Sequence, residues 1–324
     1  MIVSRTPLRI SFVGGGTDIR EYYRNNSYGA VISAAINKYI YIAINQRFDN
    51  TVKANYSSTE ITDSADEIQH PIIRSALKLV GINRGVEISS LADIPAKTGL
   101  GSSSSFTVGL LNALYTYIGI ALNQKRLAEE ACKIEIDILN EPIGKQDQYA
   151  AAFGGFNYIQ FNNDESVLVE PIKISQESMI KLNENLIMFY TGITRSARSV
   201  LQDQVEKIAV KTEYYQAMKE LINNFKMILS NDNKFDLLGE LLDKGWMAKR
   251  ELAATISCSK IDDFYDIALQ NEAIGGKLLG AGGGGCLLFY CKKHNQEKLK
   301  EALKDLKWIP FQFEPQGSKI VFMD

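Results

Sequence analysis

Short alternating apolar runs mark most of the strands. "RISFV" at 9–13, "YIYIAI" at 39–44 and "GVEISS" at 85–90 are rich in β-branched and aromatic residues and predict strands. "FNYIQF" at 156–161, "NLIMFYTG" at 185–192, "GCLLFYC" at 285–291 and "SKIVFMD" at 318–324 read the same way. Helical spacing appears elsewhere. In "QHPIIRSALKLVG", Ile72, Leu77 and Val80 share a face and Gly81 supplies a stop. After "GLGSSSS", the residues Phe106, Leu110, Leu111, Leu114 and Ile118 predict one apolar stripe. A further helix is expected from Gln124 to about Leu139 behind an Asn123 cap, although "IEIDI" also alternates like a strand. Long helices are expected over about 197–229 and 235–255, and "NQEKLKEALKDL" is helical near the end.

Periodicity weakens over 162–176, where "NNDES" and Pro171 fall. The chain therefore reads as two α+β halves, 1–165 and 166–324. A formal net charge of −2 and the lack of any strongly basic segment give no reason to expect nucleic acid or a membrane as partner. Cys132, Cys258, Cys286 and Cys291 lack metal-ligand spacing and are expected as free, mostly buried thiols. The N-terminus lacks a signal-peptide core, so a cytoplasmic location is expected.

Three glycine clusters change the picture. "PAKTGLGSSSSF" places Gly99, Leu100, Gly101 and then Ser102, Ser103 and Ser104 directly before a helix, with Lys97 two residues upstream of Gly99. The first N–H groups of a helix have no partner within it and attract anions. Serine hydroxyls add short donors and can ligate a hard cation. Such a loop suits a polyphosphate with its metal, or is an ordinary serine-capped turn. "FVGGGTDI" holds Gly14, Gly15, Gly16, Thr17 and Asp18 after a strand, and "LLGAGGGGCLLFY" holds Gly280 and Gly282 to Gly285 before one. Residues 280–285 fit G-x-G-x-x-G. A dinucleotide site needs a helix after that motif, and here a strand follows. No Walker A sequence and no H-R-D or D-F-G signature occurs. The only histidines, His70 and His294, sit beside no motif, and a capping or surface role is expected of His70.

Asp147, between two glutamines in "GKQDQ", is positioned either to accept a proton from a hydroxyl or to cap a helix. Glu135 follows Leu127 and Ala131 toward an apolar face, where a carboxylate needs a cation or a basic side chain. Arg9, inside an apolar strand, and Asp18 either hold a polar substrate or pair with each other. Arg195 and Arg198 in "TGITRSARS" are candidates for an anionic group, or are solvated.

Together, "PLRISFVGGGTDI", "PAKTGLGSSSS" and "KLLGAGGGGCLLF", in this order, resemble the GHMP small-molecule kinase superfamily over nearly the whole chain. Galactokinase-like members usually carry Gly-Glu-His-Thr-Asp in the first motif. The run Gly14 to Asp18 here, with "GKQDQYAAAFGGFN" and "YTGITRSA", is more similar to the heptose 7-phosphate kinases.

The resemblance implies a first half like ribosomal protein S5 domain 2 and a ferredoxin-like second half. It implies ATP on the 99–104 loop, Mg²⁺ on Ser103 and Glu135, and Asp147 as the catalytic aspartate. It further implies a sugar phosphate substrate near Arg9, Gly15, Gly16, Thr17 and Asp18. Arg195 is the first choice for the substrate's own phosphate, and Gly282 and Gly283 are expected at the floor of the site. The implied reaction is transfer of the ATP γ-phosphate to the anomeric hydroxyl of a heptose 7-phosphate. A kinase for another sugar, such as fucose or an unphosphorylated heptose, and a non-catalytic nucleotide-binding regulator are the alternatives.

Overall fold

A computed structural model describes residues 1–229 and 234–324. The first half is built on a large sheet. Its strands are β1 (Ile2–Val13), β2 (Tyr28–Gln46), β3 (Val52–Asn55), β4 (Thr59–Thr62), β5 (Val86–Ala92), β6 (Phe156–Asn162) and β7 (Val167–Pro171). The long strand β2 organises it. β2 pairs with β1 along most of its length, with β6 through its first half and with β5 through its second. Burial along β2 explains its sequence. Residues 29–36, "GAVISAAI", are buried throughout, and apolar residues occupy nearly every position. From Tyr39 to Ile44 the pattern alternates, because one face there meets solvent.

The second sheet is smaller: β8 (Leu186–Tyr190), β9 (Ala273–Leu278), β10 (Cys286–Cys291) and β11 (Lys307–Trp308), in the order β11-β8-β10-β9. The strand β12 (Lys319–Met323) leaves this half and pairs antiparallel with β1, giving the first sheet its eighth strand. The turn between β6 and β7 falls where the sequence pattern weakens, near 165. Both of its strands belong to the first sheet, which runs on to Pro171.

Eleven helices cover the sheets among the described residues. The first half carries α1 (Arg20–Tyr23), α2 (Pro71–Val80), α3 (Ser102–Tyr117), α4 (Gln124–Cys132) and α5 (Gln146–Phe153). The second carries α6 (Gln176–Glu184), α7 (Ala197–Lys207), α8 (Thr212–Leu229), α9 (Asp236–Arg250), α10 (Ser259–Gln270) and α11 (Gln296–Ala302). Local signals place several ends correctly. The His70 ring accepts from the Ile73 N–H at 3.4 Å at the start of α2, and Gly81 closes that helix in the left-handed region. Asn123 caps α4 through its side-chain Oδ1, 2.8 Å from the Arg126 N–H.

The expected stripe on α3 is corrected in part. Leu110, Leu111 and Leu114 are buried, but so are Ser104, Ser105, Thr107 and Val108 on other faces. The helix packs on β1 and β2 and is flanked by α2, α4 and α5. Its polar residues are satisfied inside: the Ser105 hydroxyl donates to the Pro7 carbonyl at 2.8 Å. Phe106 is only half buried and faces a cavity, and Ile118 lies just beyond the helix and is exposed. The ambiguous "IEIDI" is neither strand nor α-helix. It continues α4 as wider π-helical turns over Lys133–Ile138, which bury Ile134 and Glu135.

One core continues from the first sheet, through Leu8, Ile32 and Leu114, to Phe225, Leu242 and Leu288 of the second half. A second gathers around Trp246, Tyr265 and Phe289. All four cysteines are free; three are buried and Cys258 is half buried. Burial pushes the Cys286 thiol up to about 12 and Cys291 to about 11, so both stay protonated and inert. Among the described residues, no helix is long and apolar enough to cross a membrane.

Candidate active site

A cavity of about 680 Å³ opens where the three glycine loops converge. The serine loop forms one wall, with Lys97, Gly99, Gly101, Ser102, Ser103 and Ser104 lining it. It is fastened to β1 by the Arg9 N–H, which donates to the Leu100 carbonyl at 3.0 Å. On the opposite side the Gly280–Gly285 loop touches it directly. A Cβ on Gly99 would stand 2.4 Å from the Leu279 oxygen, and one on Gly280 would stand 2.6 Å from the Gly99 Cα. Only glycine admits two backbones this close.

Arg9 does not pair with Asp18. Its Nε and Nη2 donate to the two Asp147 carboxylate oxygens, both at 2.7 Å, and its Nη1 donates to the Gly99 carbonyl at 2.6 Å. The guanidinium is buried, whereas the Asp147 carboxylate keeps an open side toward the cavity. Asp147 lies in the first turn of α5 but does not cap it, since both its oxygens face Arg9. That capping work falls to Asp18. Its carboxylate accepts from the Gln146 N–H at 3.2 Å, the Gln146 Nε2 at 3.1 Å and the Gly16 N–H at 2.9 Å. A Cβ on Gly144 would overlap the Asp18 carboxylate, at 1.9 Å from an oxygen, which accounts for that glycine. Burial, and secondly the neighbouring Asp147 charge, raise the Asp18 carboxyl above its usual range.

Glu135 is almost fully buried and has no basic partner among the described residues. One oxygen accepts from the Ser103 hydroxyl at 2.9 Å, the other from the Gln148 Nε2 at 2.6 Å. Burial raises its pKa, and the hydrogen bonds from Ser104, Gln148 and Ser103 only partly offset that. An inward carboxylate, with a hydroxyl beside it and no cation, fits a hard divalent ion. Among the described residues no three carboxylate, histidine or cysteine side chains gather into a protein-only metal cluster, so remaining ligands would be water and phosphate oxygens.

Some expected site residues stand elsewhere. The Thr17 hydroxyl is buried and bonds the Gly14 and Ala30 carbonyls, a structural role. Gly15 packs near Ser11 and Gln146, and Leu100 is a core side chain. Gly282 lies against the Ile256 backbone and Gly283 against the Arg195 side chain. None of these lines the cavity, and neither does Arg195 itself. Arg198 does; it reaches across to Glu141 in the other half, 2.9 Å away.

Sequence reasoning passed over two residues here and one further role of a third. Lys249 is buried on α9 beneath the third loop and lines the cavity. Its available signal is spacing: it follows Leu242 and Trp246 along the buried face of α9, where a lysine is out of place. Gln148, the partner of Glu135, had no signal beyond its neighbour Asp147. His70, correctly expected as a cap, also joins an aromatic wall. Its ring stands edge-on to Tyr56 at 4.7 Å and 5.3 Å from Phe106, and burial lowers its pKa.

Comparison with known proteins follows the same lines. The sequence matches the GHMP kinases N terminal domain over residues 70–155 and the GHMP kinases C terminal domain over 217–307. It is 30% identical to the D-glycero-alpha-D-manno-heptose 7-phosphate kinase of Campylobacter jejuni, covering 98% of each chain. It is 25% identical to the L-fucokinase/L-fucose-1-P guanylyltransferase of Bacteroides fragilis, over 35% of that longer protein. Among solved structures, a D-glycero-D-manno-heptose 1-phosphate kinase from Bacteroides thetaiotaomicron superposes with a TM-score of 0.83 at 24% identity, covering all of both chains. A putative sugar kinase from Campylobacter jejuni gives 0.76 at 27% identity, over 98% of this chain and 97% of that one.

Proposed function

Because the chain belongs to the GHMP kinases and is an ATP-dependent sugar kinase, we propose that its acceptor is D-glycero-D-manno-heptose 7-phosphate and its product the 1,7-bisphosphate. The observation that carries this reading is the full-length 30% identity to a heptose 7-phosphate kinase.

The site's residues take roles consistent with it. The Tyr56, His70 and Phe106 rings, set at angles to one another, offer an aromatic-lined recess for adenine. The nucleotide phosphates lie against Gly99, Gly101 and Ser102 to Ser104, at the N-terminus of α3. Ser103 and Glu135 hold Mg²⁺, which neutralises phosphate charge when bound. Asp18, Gly16 and Gln146 orient the sugar; the Gln146 side-chain amide oxygen is buried and without a hydrogen-bond partner among the described residues. Asp147, held by Arg9, receives the proton of the anomeric hydroxyl. Arg198 replaces Arg195 as the group for the acceptor's own phosphate, since it lines the cavity and is held only by an exposed ion pair.

ADP release from Mg-ATP with a panel of sugars tests the acceptor. Turnover with the 7-phosphate at least tenfold above the unphosphorylated heptose, fucose, mannose and galactose is expected. Preference for an unphosphorylated sugar removes the heptose 7-phosphate reading.

The metal role is tested separately. Glu135→Gln keeps the shape and the Gln148 contact region but lacks the charge. It should fold as well as the parent, because it removes a buried charge, and need at least about ten times more Mg²⁺ for half-maximal rate. An unchanged Mg²⁺ dependence would remove Glu135 from the metal site.

A further inference from the structure

Lys249 has no role in the account above. Its ammonium donates to the Gly280 carbonyl, the one acceptor it finds among the described residues for a group with three donors. It lines the cavity and shares the field of Arg9, Asp18 and Asp147, with Lys277 behind it on β9. Arg9 is committed to Asp147 and the Gly99 carbonyl, and Lys277 donates to the Phe12 carbonyl and does not line the cavity. The serine loop carries no basic residue beyond the exposed Lys97 at its outer end. At the point where the two glycine loops touch, above Asp147, Lys249 is therefore the buried cation with donors to spare. Burial, reinforced by the nearby Arg9 charge, lowers it to about 8, a strain that an arriving anion would relieve.

We propose that Lys249 is a catalytic residue whose ammonium donates to an oxygen of the phosphoryl group as it passes from nucleotide to acceptor. The bond from the γ-phosphorus to its bridging oxygen breaks, and ADP keeps the electron pair. The bond to the acceptor oxygen forms, and that hydroxyl's proton goes to Asp147. Lys249 keeps its own protons and offsets the charge on the equatorial oxygens. The inference rests on the phosphoryl-transfer assignment and not on which sugar is the acceptor.

The test uses Lys249→Met and Lys249→Arg. With the best acceptor, Lys249→Met should lose about 10²–10³ in kcat with both KM values within a few-fold, and Lys249→Arg should recover part of the loss. A loss confined to the KM of a phosphorylated sugar would overturn the proposal, because Lys249 would then hold the acceptor's own phosphate. Calorimetry gives a readout free of turnover. Magnesium adenylyl imidodiphosphate is titrated at pH 8.5 in two buffers of different ionisation heat. The parent should take up part of a proton, Mg-ADP should cause far less uptake, and Lys249→Met should show none. Equal uptake with both nucleotides, or uptake that survives in Lys249→Met, overturns the proposal. Uptake as expected beside a failed sugar panel would sink the heptose reading alone.

Thermal melts confirm that the variant folds. A folded pKa near 8, below the unfolded 10.5, makes the parent gain stability as pH rises from 8 to 10.5. Lys249→Met should lack that gain and melt higher than the parent at pH 7.

Discussion

Asp147→Asn should lower kcat by about 10²–10⁴-fold while ATP affinity stays within a few-fold. The side chain keeps its size and one acceptor for Arg9, so the change is chiefly in charge. Arg9 engages both Asp147 oxygens, yet a carboxylate has about four lone-pair positions, and the cavity side remains open for a hydroxyl. Phosphoryl transfer through a loose transition state does not require a strong base, and the Arg9 pairing serves another end. It fixes where the carboxylate stands. Arg9→Met should therefore cost a comparable factor, and the double variant should lose little more than either single one. Steady-state kinetics of the three variants decide this. Wild-type turnover in Asp147→Asn would remove Asp147 from the chemistry, and additive losses would show that Arg9 acts independently of it.

The second large effect is expected at Gly99. Gly99→Ala places a Cβ 2.4 Å from the Leu279 oxygen, in a residue whose φ is +80°. The control is Gly119→Ala, where φ is +78° and the space around a Cβ is open. Both changes carry the left-handed penalty of about 1–2 kcal/mol. Only Gly99→Ala adds a backbone collision that cannot be relieved by turning a side chain. It should destabilise by about 3 kcal/mol or more in denaturant melts, or survive with the two loops forced apart and ATP binding weakened at least about tenfold. If the two variants match in stability and in ATP affinity, the loop contact yields easily and does not shape the site.

What the sequence shows of this site is what local chemistry encodes. The serine loop feeds a helix because glycine and serine suit a helix start, and the α2 and α4 ends follow from His70, Gly81 and Asn123. Glu135 faces inward because its spacing from Leu127 and Ala131 is helical, although the π turns that finish its placement have no clear local signature. Pairing between distant segments is not written locally. Nothing in "LRISFV" distinguishes Asp18 from Asp147 as the partner of Arg9, and the choice is made by α5 docking beside β1. Sequence offers both Arg195 and Arg198 for an anionic group, and Arg195 is the first choice for the substrate's phosphate. The start of α7 turns one toward Gly283 and the other into the cavity. Lys249 shows the converse error, since a charge on a buried face reads as noise until the third loop is seen above it.

The pairing of β12 with β1 has a kinetic consequence. Residues 2–5 find their outer neighbour only at residues 319–323. At a synthesis rate of 5–20 residues per second, the interval is roughly 15–60 s. Through that time the growing chain presents an open strand edge, rich in Ile and Val, to every other nascent chain nearby. The first strand of the sheet thus waits longest for its outer neighbour, and the exposure of its edge on the ribosome is set by the pace of translation and not by the speed of folding.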